Sequence, residues 1–589
     1  MHPSLLLASV LAATDSVAFI RVNQLGYLPA SPKVAVVCAL QETAFTRFSV
    51  IDTGGRAVFS GRATLSGAFA ACVRTWRLDF SRLRASGAYR IVAHADTSRE
   101  FRISATAYSG AADTLLHYMR QQRSGYNPLH RKTVHTKDAI IVDDPTREGQ
   151  FIPVTGGWAD ASDYLQYVTT SANATFVMLM AFRDHPEAFS DDFQGSGDPG
   201  PNGTADVLDE ARHGLTWLVR MFPSDSQMYN QIADDRDHAF ADLITTDSSD
   251  YGWGKGQERP VYPCTGKPQG LFERKNRSTG YASTAGKYAA AFALGATLYR
   301  GREPAFADTL QAKAIAAYAL GKRYPGVCQT APGRSPYFYE EDNWVDDMEL
   351  GAAELFALTH DGKYLTDAID FAAREPVTPW MGADTANHYQ WYPWHNNGHY
   401  ETWRLANARQ KQRLATYYRR GLEAVAKRAD GNGFRIGIPF IWCSSNLMAS
   451  FATQAYLYRS MTGDERFRPY EQAALDWLFG VNPWGVSMII GLPANGVFAR
   501  DPHAVVSRQL GTVLTGGMLD GPVYRSIYQN LRGIRLMEPD EYAAFNTGHI
   551  VYHDDYGDYS TNEPIMDGTA NLTWLLAAQS GNFRPLRGR

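Results

Sequence analysis

The spacing of apolar positions changes once along the chain. From Phe19 to about Ile103, short runs rich in β-branched and aromatic residues alternate with turn formers. Ala35–Leu40, Arg47–Ile51, Thr75–Phe80 and Gly87–Ala93 are the clearest runs, and Asp52-Thr53-Gly54-Gly55 separates two of them. Strands of this length and spacing predict a small antiparallel sandwich of immunoglobulin type. From about Ala105 the period becomes helical, opening with Tyr108–Met119. Further helical patterns fall at 161–185, 204–222, 281–300, 305–322, 345–359, 363–374, 401–428, 444–461, 466–479 and 568–580. So many helices joined by loops of unequal length predict a toroid of helical hairpins. The long loops near 223–278, 325–343, 376–400 and 481–567 are expected to gather on one face and carry the site.

Before the sandwich, residues 1–18 hold the apolar run Leu5–Ala13 and small residues at Ser16 and Ala18, the pattern of a secretory signal peptide. That run is too short to span a bilayer, so a secreted or periplasmic protein without membrane insertion is expected. Three parts follow: leader 1–18, sandwich 19–104 and helical domain 105–589. The 589 residues carry 44% hydrophobic and 20% charged residues, an ordinary globular balance. A formal net charge of −4 gives no electrostatic footprint for nucleic acid or an anionic membrane. Oligomeric state is not legible. The five cysteines, Cys38, Cys72, Cys264, Cys328 and Cys443, are irregularly spaced and give neither a zinc signature nor a disulfide framework. Buried free thiols are the default expectation, with one or two bridges as the alternative.

Two stretches concentrate carboxylates. Asp554-Asp555-Tyr556-Gly557-Asp558-Tyr559-Ser560-Thr561-Asn562-Glu563-Pro564 is loop-like and runs into an apolar helix, so Glu563 sits where a carboxyl can be partly desolvated yet open to substrate. Its alternative is a solvated acidic turn near a helix N-terminus. Gly156-Gly157-Trp158-Ala159-Asp160-Ala161-Ser162-Asp163-Tyr164 is the second. Asp160 and Asp163, three apart at an expected helix start, can point to one side and grip one water; helix capping is the alternative. Trp158 and Tyr164 would supply sugar-facing or packing surface.

The second stretch resembles the Gly-Gly-Trp-Tyr-Asp-Ala-Gly-Asp-Tyr signature of glycoside hydrolase family 9, the cellulase-type inverting enzymes. Asp558-Tyr559-Ser560-Thr561-Asn562-Glu563 is similar to that family's C-terminal motif. Asp206–Arg212, Leu478–Pro483 and Gln122–Gly125 resemble further segments in the same order. Ile20–Pro29 is similar to the opening of the immunoglobulin-like domain that often precedes such catalytic domains. The resemblance implies an (α/α)6 barrel behind a β-sandwich, with Asp163 as general base, Asp160 holding the nucleophilic water and Glu563 as general acid. Inversion requires carboxyl groups about 6.5–9.5 Å apart with a water between. Asp558 and Tyr559 would set the loop and tune Glu563, and Tyr559 would also contact the substrate. Ala159 and Ser162 depart from the signature, and the family's His-His-Arg sugar-binding segment is reduced, which leaves His503 as the one contact carried over.

The aromatic run Tyr389–Tyr400 offers Trp391, Trp394, His395 and His399 either as sugar platforms and hydroxyl partners or as a packed plug. No carboxylate or Cys stands at metal-ligand spacing from His395 and His399, so no metal is assigned there. No cofactor is required on this reading. The family's structural calcium would draw on Ser190-Asp191-Asp192 and Asp198. The expected activity is inverting hydrolysis of β-1,4-glucosidic bonds in β-glucans or cellooligosaccharides, with endoglucanase action favoured. Exo-acting β-glucosidase or exo-β-glucosaminidase is the alternative, with the insertion 229–278 and its Trp253, Arg259 and Arg274 as a candidate wall. A non-catalytic glycan-binding protein and a polysaccharide lyase are the competing classes.

Overall fold

A computed structural model describes residues 17–237 and 242–581. All of the expected signal peptide except Val17 and Ala18 lies outside the described residues. Strand β1 begins at Ala18, so the strand ladder reaches the expected leader's last residue.

Eight strands form the sandwich: β1 (Ala18–Arg21), β2 (Val34–Ala39), β3 (Arg47–Asp52), β4 (Ala57–Ser66), β5 (Arg74–Asp79), β6 (Gly87–Ala93), β7 (Asp96–Thr97) and β8 (Phe101–Ile103). Their order is β1-β2-β5-β4-β3-β6-β7, with β8 also on β6. Strand β4 joins the two layers: Ala63–Ser66 pair with β5, while Ala57–Arg62 pair with β3. Alternation along the strands sends Ala35, Val37, Trp76, Leu78, Val50 and Ile91 into a common core.

Eleven helices of the larger domain are α1 (Ala111–Gln121), α2 (Val168–Asp184), α3 (Asp206–Met221), α4 (Ala282–Tyr299), α5 (Pro304–Arg323), α6 (Val345–Thr359), α7 (Gly362–Arg374), α8 (Asn397–Leu405), α9 (Ala408–Ala429), α10 (Ser444–Thr462) and α11 (Arg468–Leu478). The C-terminal helix Met566–Ser580 completes the set. Helices α2, α4, α6, α8 and α10 and the C-terminal helix each touch the next and close a ring. Outside it, α1 packs on the C-terminal helix, and α3, α5, α7, α9 and α11 pack on their inner partners. The sequence explains the two rings. Inner helices such as α10 and the C-terminal helix are buried all round, while α3, α7 and α9 carry one apolar stripe. The protein is therefore an (α/α)6 barrel beside a β-sandwich.

Three expectations need correction. Residues 160–165 are a loop, and the helix expected from 161 starts at Val168; the two glycines and the carboxylate-rich turn favour backbone shapes a helix does not offer. Asp160 and Asp163 therefore do not share a helical turn. Four of the five cysteines are paired, Cys38 with Cys72 and Cys264 with Cys328, leaving Cys443 free and buried. Irregular sequence spacing hid pairs that tertiary folding brings together, the second joining the 223–278 and 325–343 loops.

The sandwich is fastened to the barrel by polar contacts around Asn23 and Gln24. The Gln24 amide donates to Phe479 O at 2.9 Å, and its side chain bonds Gly485 O at 2.9 Å and the Val497 amide at 2.7 Å. Asn23 donates to Asp476 at 2.8 Å, as does Gln472. Burial pushes the Asp476 carboxyl up to about 7 despite these donors. A carboxyl raised in the folded state binds more protons folded than unfolded, so stability falls as pH rises from about 4 to 7 and then levels off. Asp476→Asn keeps an acceptor without the charge. It should remove that loss, worth at most on the order of 4 kcal/mol, and raise the melting temperature at pH 8 more than at pH 4. Parallel melting curves for the two proteins would contradict this.

Candidate active site

The Gly156–Tyr164 loop is held from below by the other quoted motifs. Trp158 is fully buried and donates through Nε1 to Glu210 at 2.7 Å, and Glu210 accepts a two-pronged ion pair from Arg123 at 3.0 and 2.7 Å. The Ser124 amide donates to Gly157 O, and the Ala159 amide to Gln122 O, each at 2.8 Å. Gly157 has φ +76°, and a Cβ there would lie 2.6 Å from the Trp217 ring, so only glycine fits. Gln122–Gly125 and Asp206–Arg212 are thus the footing of the carboxylate loop.

The C-terminal stretch divides its carboxylates between scaffold and cavity. Asp554 accepts from the Arg500 and Asp501 amides at 2.7 and 2.9 Å, and Asp555 from the Met537 and Glu538 amides, each at 2.8 Å. Asp558 accepts from His553 at 2.7 Å and from the Ser560 and Thr561 hydroxyls, both at 2.7 Å. Burial opposes its charge, but the His553 hydrogen bond and the two hydroxyls outweigh this and hold its carboxyl below the usual range. Glu563 instead lines the cavity, with Oε1 accepting from the Ser162 amide at 3.1 Å and from the Ser162 hydroxyl. The Met566 amide, at the start of the C-terminal helix, donates to Asp160 O at 2.9 Å and ties the two stretches together.

Asp160, Asp163 and Glu563 line one cavity of about 380 Å³. Its walls come from loops over one end of the barrel: Asp235, the 331–339 segment, His388 and Tyr389, Trp442 and Cys443, Asp520, Arg532 and Gly533, and Tyr559. Asp163 accepts from the Leu165 amide at 3.2 Å. Asp160 is buried, with Oδ1 accepting from Thr170 at 2.8 Å and Oδ2 from the Tyr339 hydroxyl. Burial, then the charges of Asp567 and Asp163, push its carboxyl well above the usual range against those two donors.

One wall is aromatic. His388 stacks on Trp442 at 4.1 Å, and burial pushes its imidazole down to about 3, so it is a neutral plate. Trp442 lies 5.5 Å from both Tyr337 and Tyr559. The Arg532 amide donates to the Tyr337 hydroxyl at 2.9 Å, and the Tyr559 hydroxyl donates to Arg532 O at 2.7 Å, so the 331–339 and 532–533 segments meet beside these rings. Tyr339 stacks on Tyr389 at 3.8 Å behind Asp160.

Several expected binding residues lie elsewhere. Trp158, Trp394, His395 and His399 are buried. Trp394 is packed among core rings, His395 bonds Pro393 O at 2.9 Å, and His399 pairs with Glu349 at 2.8 Å. Trp391 is half-buried against the core. The aromatic run is therefore a packed plug, and only Tyr389 and the preceding His388 reach the cavity. His503 is buried against Tyr556, with Nδ1 bonded to Tyr556 O, and does not line the cavity. Tyr164 faces an adjoining hollow of about 260 Å³ with Ser162 and Asp163, its hydroxyl on Asp242 O at 2.7 Å. Tyr559 alone of the expected platforms lines the main cavity. Within the 229–278 insertion, Arg259 is buried in a 2.8 Å pair with Asp138, and Asp235 is the described residue that reaches the cavity. Sequence reasoning missed Tyr337, Tyr339, His388, Trp442 and Asp520; the lone Asp in Met518-Leu519-Asp520-Gly521-Pro522 was its one visible signal.

Two of the residues expected to bind calcium, Asp191 and Asp198, are held by hydrogen bonds. Asp191 spends both oxygens on the Asn202 and Gly203 amides at 2.8 Å, and Asp198 accepts from Tyr126 and Ser196 at 3.0 and 2.9 Å. Among the described residues no group of three or more His, Cys, Asp or Glu is arranged to hold a metal.

Carboxyls and aromatic plates converging on one cavity over an (α/α)6 barrel fit a glycan-processing class of protein. The chain belongs to glycosyl hydrolase family 9, whose model matches residues 108–576, and the model of the cellulase N-terminal ig-like domain matches residues 15–98. It is 26% identical to Endoglucanase C of Cellulomonas fimi over 96% of this chain, and spans about half (52%) of that protein's length. It is 24% identical to the xyloglucan-specific endo-β-1,4-glucanase of Bacteroides ovatus, covering 95% of this chain and 93% of that protein. A metagenome-derived glycoside hydrolase family 9 endoglucanase superposes with TM-score 0.75 at 26% identity, covering 96% of this chain and 99% of that one.

Tyr339→Phe removes the phenol that donates to Asp160 while keeping the ring stack. Asp160 should then take up its proton at still higher pH. Loss of a hydrogen bond to a charged group, about 1.5–3 kcal/mol, should cut glycan hydrolysis roughly ten- to a hundredfold and displace the acid limb of the rate profile upward. A profile identical to the parent's would show that hydrolysis does not depend on ionised Asp160.

Proposed function

We propose that the protein is an inverting β-1,4-glucanase in which Asp163 is the general base, Asp160 orients the attacking water and Glu563 is the general acid. The observation that carries this reading is the convergence of these three carboxyls on one aromatic-walled cavity. Glu563 would protonate the leaving glycosidic oxygen while a water held by Asp160 and Asp163 attacks the anomeric carbon from the opposite face. Trp442, Tyr337 and Tyr559 would present ring faces to the sugars. The names of the relatives support β-1,4-glucan as substrate and endo action as the mode. Decorated glucans such as xyloglucan are supported by the name of the Bacteroides ovatus relative.

Export to an oxidising compartment, outside the cell or in the periplasm, is part of the proposal. Two disulfides among the described residues support it. No helix among the described residues is long and apolar enough to cross a membrane. Substrate binding and hydrolysis are assigned to the chain without a cofactor.

The test is hydrolysis of a β-glucan panel with Glu563→Gln as control. The parent should lower the viscosity of soluble β-1,4-glucan well before reducing ends accumulate. Glu563→Gln should lose roughly 10²–10⁴-fold on glucan but keep most of its rate on a dinitrophenyl cellooligoside, whose leaving group needs little protonation. Unchanged glucan hydrolysis by Glu563→Gln would overturn the assignment, and release of monosaccharide alone would overturn endo action.

A further inference from the structure

One buried carboxyl at the site has no part in the mechanism above. Met518–Leu519 and Pro564–Ile565 form a short antiparallel ladder, with Met518 opposite Ile565 and Leu519 opposite Pro564. The Asp520 amide donates to Glu563 O at 2.9 Å, so the register continues and sets Asp520 opposite Glu563. Residues directly opposite in such a ladder share a face, with Cβ atoms about 4.5–5.5 Å apart. Both side chains line the cavity, and Asp520 is fully buried.

Like charges in this position destabilise a sheet, and among the described residues no cation is ion-paired with Asp520. Its carboxyl accepts from two neutral donors, Trp442 Nε1 at 3.1 Å and the Cys443 thiol at 3.0 Å. Burial keeps that thiol protonated. The arrangement favours one proton held between two carboxyls over two separate anions.

We propose that Asp520 is a positioning residue for proton donation: it and Glu563 form a carboxyl pair that shares one proton and keeps the general acid loaded. The proposal rests on the reading of Glu563 as general acid. The other titratable and charged groups facing the pair are Asp160 and Asp163 on the carboxylate loop, Tyr118 on α1, Cys443, and Asp567 on the C-terminal helix; across the cavity stand Arg532, Arg334, Asp235, His388 and the phenols of Tyr337, Tyr339 and Tyr559. Burial, then the charge of Glu563, push the Asp520 carboxyl well above the usual range. The sign follows. When the pair holds one proton, the charge on the other carboxyl makes its loss harder whichever of the two carries it, so the alkaline limb of hydrolysis lies higher than Glu563 would give beside a neutral neighbour. Ser162 acts in the opposite sense, since its amide and hydroxyl bond the ionised form of Glu563.

The test is the pH profile of kcat/KM on soluble β-glucan for the parent, Asp520→Asn, Asp520→Ser and Asp520→Glu. Asn is isosteric and removes a like charge, so it should fold; Ser repeats the test if it does not. Both neutral variants should move the alkaline limb down by about one pH unit or more, the coupling expected of interacting carboxyls. Asp520→Glu should hold it near the parent's position. On a dinitrophenyl cellooligoside the shift should vanish, because that leaving group needs no proton. An unmoved limb in folded neutral variants, with Glu563→Gln still inactive on glucan, overturns the proposal alone. If Glu563→Gln stays active on glucan, the general-acid reading falls with it.

Discussion

The site depends on one junction between segments some four hundred residues apart in sequence. The Met566 amide bonds Asp160 O, and the Ser162 amide and hydroxyl bond Glu563. Without this junction Asp160 and Asp163 would sit on a loop independent of the one that carries Glu563, and loops drift by more than chemistry tolerates. The ring of inner helices makes it possible. Closure brings the C-terminal helix against α2, so the loops entering those two helices meet at one end of the barrel.

Around that junction the chain sorts its carboxylates by use. Asp554, Asp555 and Asp558 are occupied by amides, hydroxyls and a histidine and act as fasteners. Asp160 is intermediate, gripped by Tyr339 and Thr170 yet open to the cavity. Asp163, Glu563 and Asp520 line the same cavity. Buried carboxyls crowded at one point cost stability, and here the cost is concentrated at the cavity, the place where functional sites gather perturbed pKa values.

Much of this was legible in the chain. The change of apolar period marks the passage from sandwich to barrel, and the two carboxylate stretches name Asp160, Asp163 and Glu563, which share the cavity. The walls were not legible. Trp391, Trp394, His395 and His399 form a conspicuous cluster, but aromatic density reports packing as readily as binding, and here it packs. Tyr337, Tyr339 and Trp442 stand in segments with no local pattern and matter because loops from different hairpins converge. Asp520 was hidden for the same reason, since only strand register places it opposite Glu563. The disulfides also depend on tertiary proximity that spacing does not encode.

The account's central claim is that a water activated by Asp163 and Asp160 attacks in one step while Glu563 protonates the leaving oxygen. The most direct measurement is proton NMR of the first products from a β-1,4-linked cellooligosaccharide, taken before mutarotation. The account predicts that the new reducing end appears first as the α-anomer. Initial appearance of the β-anomer would contradict it, because retention requires a covalent intermediate that this division of roles does not make.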